Sequence, residues 1–148
     1  MESETASRNL PRWLVIAAIL ISLVGLIDSS YLTASHYSGI AVPCNLTNGC
    51  EMVLNSPWSQ IAGIPTALFG AIAYFAVFST ALLVFYGREN LWSLVGAMAA
   101  TMFAASLFLV YLQAFVIGSF CQFCLLSALS STLLFVVFAF SKFSGKRQ

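Results

Sequence analysis

The chain has 148 residues, of which 60% are hydrophobic and 7% charged, with a net charge of +1. A soluble domain carries roughly 25% charged residues, so this chain lacks the groups to hold a fully water-facing surface, and lipid must cover much of it. One net positive charge and no basic stripe exclude nucleic acid as a partner. The length suits one domain.

Residues 1–11 are polar and form a tail ahead of Pro11. An apolar run between Arg12 and Asp28, extended through Tyr31 and Leu32, predicts a first span over 12–35. Its basic start and apolar middle share features with a secretory leader. No small-x-small cleavage site follows cleanly, and the helix runs on into Asp28-Ser29-Ser30-Tyr31, so a retained span is expected. Residues 37–64 form the sizeable loop, and Gly39, Pro43, Gly49, Pro57 and Gly63 break any long helix in it. The loop is nevertheless apolar at Val42, Met52, Val53, Leu54, Trp58 and Ile61. That pattern predicts a short interfacial helix over Glu51–Asn55, Trp58 at headgroup level, and a lid folded over the bundle.

From Pro65 to Tyr86 there is no charge, which predicts the second span over 65–86. Asn90 to Ser141 is again uncharged, and too long for one span of about 20 residues. Gly118-Ser119 divides it into spans over 91–117 and 122–141, followed by a tail over 142–148. The fold class predicted is an all-α integral membrane protein, a bundle of four transmembrane helices with an outward-facing lid loop between the first two. All six basic residues, Arg8, Arg12, Arg88, Lys142, Lys146 and Arg147, then fall on one side. The positive-inside rule makes both termini cytoplasmic in a multi-pass cell (inner) membrane, with the loop outside, where disulfides persist.

The four cysteines all map to that outward end. Cys44 and Cys50 lie in the loop; Cys121-Gln122-Phe123-Cys124 opens the last helix. Two cysteines three apart in a first helical turn lie within disulfide range. The N–H groups and partial positive charge of a helix start stabilise a thiolate, which makes such a pair reactive. The loop pair sits in an Asn/Gly-rich segment that can close as a disulfide and reopen. A mobile dithiol above a membrane-embedded one is an electron relay, because a thiolate attacks a disulfide through a mixed intermediate. The competing readings are two static disulfides in a membrane scaffold, or a zinc site. The five-residue gap in the loop pair departs from the short hooks of Cys₄ sites, so no metal is expected.

A dithiol that becomes a disulfide releases two electrons and two protons. The chain has no nucleotide fingerprint and no Cys-x-x-Cys-His, and His36 is its one histidine, so haem and nucleotide acceptors are excluded. A lipid-soluble quinone remains. Phe69, Phe75, Phe103, Phe108, Phe115, Phe120 and Phe123 are candidate walls for it. Ser56, Ser59, Thr66, Tyr111, Gln113 and Gln122 are candidate polar contacts, while Asp28, Tyr31 and His36 are placed to assist proton release. Asn45-Leu46-Thr47 matches a glycosylation sequon, but a glycan between two redox cysteines would block a partner, and the match is read as chance.

Several features occur together in order: Cys44 and Cys50, Ser56 six residues on, Gly63-Ile64-Pro65 with Phe69-Gly70 and Tyr74, then Cys121-x-x-Cys124. In this combination the chain resembles the vitamin K epoxide reductase family from Trp13 to about Ser141, especially its bacterial and archaeal members. The resemblance implies a four-helix bundle around a quinone of the ubiquinone, menaquinone or phylloquinone type. It implies that Cys44 meets a thioredoxin-like, DsbA-type protein, that Cys50 links transiently to Cys121, and that Cys124 reacts with the quinone. Ser56 resembles the family's serine beside the quinone, and Thr66, Phe69, Tyr111 and Phe123 complete the expected contacts. Some members carry a fused thioredoxin-like domain that this chain lacks, so a separate partner is expected. Vertebrate members carry a tyrosine where Ala128 stands and an asparagine where Thr66 stands. The resemblance therefore implies disulfide formation outside the cytoplasm rather than vitamin K quinone or epoxide reduction.

Overall fold

The computed structural model of the protein describes residues 10–45 and 49–145. Most of the polar tails, and Leu46 and Thr47 of the sequon, fall outside the described residues. Four helices are long and apolar enough to cross a membrane. They are α1 (Arg12–Ser38), α3 (Thr66–Phe85), α4 (Trp92–Tyr111, prolonged by a π-helical turn over Leu112–Ile117) and α5 (Gln122–Gly145); the short α2 (Cys50–Leu54) lies in the loop. The protein is thus an all-α membrane bundle, as its sequence predicts.

Local chemistry sets the ends of these helices. Pro11 precedes α1 in extended geometry, and its carbonyl accepts the Leu14 N–H at 3.0 Å. Gly39 stops α1 with φ +66°, the left-handed conformation in which glycine carries no Cβ penalty. Gly118 does the same after the π-helical turn, with φ +73°. The predicted interfacial helix is displaced by one residue and includes Cys50.

No spacing in the sequence predicts a strand, yet the loop closes with a small antiparallel hairpin, β1 (Gln60–Ile61) on β2 (Ile64–Pro65). Its two turn residues, Ala62 and Gly63, have φ +54° and +81°. Positive φ at both positions is the turn whose twist matches a tight hairpin. Strands of two residues are too short to leave an alternating pattern, so nothing in the apolar spacing announced them. The hairpin delivers the chain into α3 through Pro65, which needs no N–H partner at a helix start.

Lipid supplies no hydrophobic drive between helices, so close packing and interhelical hydrogen bonds hold the bundle. α1 packs mainly on α3 and α5, and α4 on α5 and α3. Small residues occupy the tightest places. A Cβ added at Gly25 would run into the ring of Tyr74, and one at Gly96 into the ring of Phe138. Ala18, Ala81 and Ala99 lie in the same buried core with Val77, Val95 and Leu134. Tyr74 Oη donates to the Ser127 carbonyl at 2.6 Å, tying α3 to α5. Trp92 Nε1 donates to Ser141 Oγ at 2.8 Å, and the Ser106 and Ser131 hydroxyls meet at 2.7 Å, both between α4 and α5.

The described basic residues gather at one end. The Arg12 guanidinium lies 5.0 Å from the Phe85 ring centre, the Lys142 ammonium 5.4 Å from that of Phe138, and Arg88 sits in the turn between α3 and α4. The cysteines occupy the other end, in a second, smaller cluster. Gly25→Leu should disrupt the α1–α3 contact and cost about 1–3 kcal/mol, as overpacking does. The expected result is a clear fall in the melting temperature of the detergent-solubilised protein, while Leu20→Ala on the lipid face leaves it nearly unchanged.

Candidate active site

Gly49 is what brings the two cysteine pairs together. A Cβ built there would lie 2.7 Å from the Phe120 carbonyl oxygen and 2.9 Å from its nitrogen, so the loop backbone rests directly on the α4–α5 turn. Cys50 follows Gly49, and Cys121 follows Phe120. Both cysteines are wholly buried and pack with Val53, flanked by Cys44, Leu54, Ile117, Phe123 and Cys124. Ser119 Oγ donates to Met52 Sδ at 3.0 Å, a second clasp between α2 and the turn. Cys44 and Cys50 form a disulfide with Cα atoms 6.0 Å apart, and Cys121 and Cys124 are free thiols.

The π-helical turn sets the position of Cys121. Widening the helix over Leu112–Ile117 carries Gln113 inward, where it is buried. Its Oε1 accepts the Cys121 N–H at 3.0 Å, and its backbone carbonyl accepts the Ser119 N–H at 3.1 Å. One residue therefore pins the start of α5 with both its side chain and its main chain. The Cys121 carbonyl accepts the Leu125 N–H at 3.0 Å and begins the helix.

This arrangement activates Cys121. The hydrogen bond from the Cys124 thiol lowers the Cys121 pKa from 9.0 to about 7; burial opposes that shift, and the Cys124 and Phe123 N–H groups reinforce it. Cys121 is therefore substantially thiolate at neutral pH and is the nucleophile of its pair.

Behind the pair lies a cavity of about 320 Å³ between α1, α3, α4, α5 and the loop. Cys124 lines it, whereas Cys121 faces the loop disulfide cluster. Of the contacts expected from the sequence, Ser56, Thr66 and Phe69 line the cavity, as do Ser59, Gln113 and His36. The Ser56 hydroxyl donates to the Val53 carbonyl at 2.7 Å, and the Thr66 hydroxyl to the Ser59 carbonyl at 2.9 Å. Both protons are thus used in holding the loop.

Tyr111 and Phe123 are placed elsewhere. Tyr111 is half-exposed on the lipid side against Phe115, with ring centres 5.1 Å apart. Phe123 packs on Tyr31 at 5.4 Å and against the cysteine cluster. Of the seven candidate phenylalanines, only Phe69 reaches the cavity. Phe75, Phe108 and Phe115 point to lipid, and Phe103 stacks on Phe135.

Tyr74 and Ser127 are wall residues not expected from the sequence. A signal for Tyr74 existed: Thr66, Phe69, Gly70, Ala73 and Tyr74 follow the i, i+3, i+4, i+7, i+8 spacing of one helical face, and all line the cavity. Ala128 is on the wall as well.

Fold and site together define a membrane bundle in which one dithiol stands between a loop disulfide and an apolar cavity. Residues 16–139 match the model of the Vitamin K epoxide reductase family, and the chain belongs to that family. A protein named thiol-disulfide oxidoreductase LTO1, from Arabidopsis thaliana, is 33% identical over 121 residues, covering 74% of this chain and 32% of its own length. The chain thus spans about a third of the length of that relative.

Thiolate, not thiol, reacts with iodoacetamide, so the alkylation rate of Cys121 should rise with pH through a midpoint at about 7 and then level off. Cys124→Ala removes the hydrogen bond that favours the thiolate and should move that midpoint upward. Rates measured between pH 5 and 10 with mass-spectrometric readout check both expectations; an unchanged midpoint in the variant removes Cys124 as the activating group.

Proposed function

We propose that the protein is a membrane thiol:quinone oxidoreductase that oxidises a thioredoxin-like partner and reduces a quinone. One observation carries this reading: Cys124 lines the apolar cavity while Cys121, three residues earlier, is buried against Cys50. The dithiol therefore has one sulfur towards a lipid-soluble acceptor and one towards the loop disulfide.

The chemistry follows from thiol–disulfide exchange. A reduced partner of the DsbA type attacks the loop pair at Cys44, the more exposed of the two sulfurs. Cys50 leaves as thiolate, and release of the oxidised partner leaves Cys44 and Cys50 reduced. Cys50 then attacks Cys121 of the Cys121–Cys124 disulfide, Cys44 resolves the mixed disulfide, and Cys121 and Cys124 emerge reduced. A bound quinone supplies the acceptor of two electrons and two protons. A cavity of about 320 Å³ lies within the range of small-molecule sites, about 300–1,000 Å³. Gln113 Nε2 is a donor suited to a quinone carbonyl. A ubiquinone, menaquinone or phylloquinone ring each meets these requirements, and the lipid tail would leave between helices.

The direction is set by potential. A DsbA-type partner stands near about −120 mV, and each 30 mV along the relay is worth roughly 1.4 kcal/mol. With both termini cytoplasmic, as the basic residues argue, the cysteine end lies outside the cytoplasm of a cell's inner membrane and supports disulfide formation there. The protein is mixed in detergent with a reduced thioredoxin-like donor and a quinone, and quinone absorbance is followed. The reading requires quinone loss that depends on donor and is abolished in Cys124→Ala. Full turnover by that variant, or none by the native chain with several quinones, would sink it.

A further inference from the structure

Asp28 sits in the middle third of α1, about 24 Å along the helix from Arg12. It is 5% exposed, and neither carboxyl oxygen has a hydrogen-bond partner among the described residues. A buried charged group without a partner is costly, and inside membrane helices such groups mark proton or ion pathways. Asp28 has no part in the fold's hydrogen-bonding or in the electron relay as written above.

Neighbours on its own helix face fix its surroundings. Gly25, three residues before, lies against the Tyr74 ring. Tyr31, three residues after, lies 5.4 Å from the Phe123 ring. Ser29 and Leu32 line the cavity shared by Cys124 and Tyr74. Asp28 is thus bracketed between Tyr74 of α3 and the Cys-x-x-Cys turn of α5. Its charge interacts with Cys121, Cys124 and Tyr74. The described cations Arg12, Arg88 and Lys142 belong to the opposite end of the bundle. Glu51 of α2 is exposed, and α4 sends no titratable side chain to the cavity. His36, two turns further along α1, lines the cavity with Tyr74 and Cys124.

We propose that Asp28 is the proton acceptor of the Cys121–Cys124 dithiol. The inference rests on the thiol:quinone reading. As the Sγ–Sγ bond forms, the two thiols give up two electrons and two protons. Both electrons go to the quinone, which is reduced to quinol. The Cys121 proton passes to the Asp28 carboxylate and then to one quinol oxygen; the Cys124 proton passes to the other. Cys121 faces the loop cluster and Cys124 the apolar cavity, and neither group of neighbours includes another carboxylate among the described residues. The geometry also gives the carboxylate a second consequence. A negative charge beside Cys121 opposes its thiolate, so the two groups share protons and titrate as a coupled pair.

The test begins with Cys124→Ala, in which Cys121 is the one free thiol while Cys44 and Cys50 remain disulfide-bonded. Cys121 alkylation is measured against pH with Asp28, Asp28→Asn and Asp28→Glu. The aspartate protein should titrate in two steps, the asparagine variant in one step centred at lower pH, and the glutamate variant again in two. Superposed Asp28 and Asn profiles, or a single step in the aspartate protein, would overturn the proposal even if the asparagine variant fails to fold. In the protein with all four cysteines, Asp28→Asn should slow quinone reduction by about 100-fold, the scale of a lost general base, with substantial recovery in Asp28→Glu. Native-rate turnover by Asp28→Asn also overturns it. Coupled titration in a protein that reduces no quinone would uphold the proton sharing and remove the quinone reading instead.

Discussion

Everything at the cysteine end depends on one backbone contact, Gly49 seated on the Ser119–Phe120 turn. No side chain fits between these segments, because even a methyl group would meet the Phe120 backbone at 2.7 Å. Backbone cannot yield as a flexible side chain does, so the contact fixes how Cys50 approaches Cys121. Among the described residues the Ser119–Met52 clasp and hydroxyls donating to loop carbonyls also hold the lid. The α4 end complements it. A π-helical turn weakens regular helix geometry in exchange for placing a chosen side chain, and such turns occur frequently at functional sites. Here that side chain is Gln113, whose side-chain carbonyl oxygen holds the Cys121 amide.

The bundle below is stabilised differently. Its core is built of alanine, glycine and valine at helix crossings, with a few interhelical hydrogen bonds from Tyr74, Trp92 and Ser106. Large aromatic side chains cover the outside, where lipid receives them. The wide cavity at the cysteine end is where this close packing stops. Tyr74 marks the boundary: its ring fills the notch at Gly25, its hydroxyl reaches Ser127, and it also forms part of the cavity wall.

The spans were legible because a membrane demands uncharged runs of fixed length, and the basic residues fall at one end. Helix ends differ from expectation by a few residues: Gly39 rather than the polar stretch before it stops α1, and α5 runs past Lys142 to Gly145. The cysteine pairs were legible from their place in the chain, Ser56 and Phe69 from the family motif, and Thr66 as a polar residue near the outer end of the second span. What the sequence concealed was rotation about the helix axis. Tyr111 and Gln113 lie two apart near the end of α4, and apolar spacing alone does not announce a π-helical turn there. That turn sends Gln113 inward while Tyr111 faces lipid. Phenylalanine identity was equally uninformative, since the same ring suits lipid and cavity. The hairpin at Ala62-Gly63 was hidden by its brevity. Asp28 was visible as a lone acid near the first span, but its burial without a partner emerged only from the packing of α1 on α3 and α5.

Transfer between the two cysteine pairs is the central claim, and trapping its intermediate tests it most directly. Replacing both Cys44 and Cys124 with serine leaves Cys50 and Cys121 without resolving partners. Mild oxidation of that double variant in membranes, followed by proteolysis and mass spectrometry, should recover a disulfide between the Cys50 and Cys121 peptides in high yield. Two thiols that stay unlinked under those conditions would contradict the relay and leave the two pairs as independent features of the lid and the bundle.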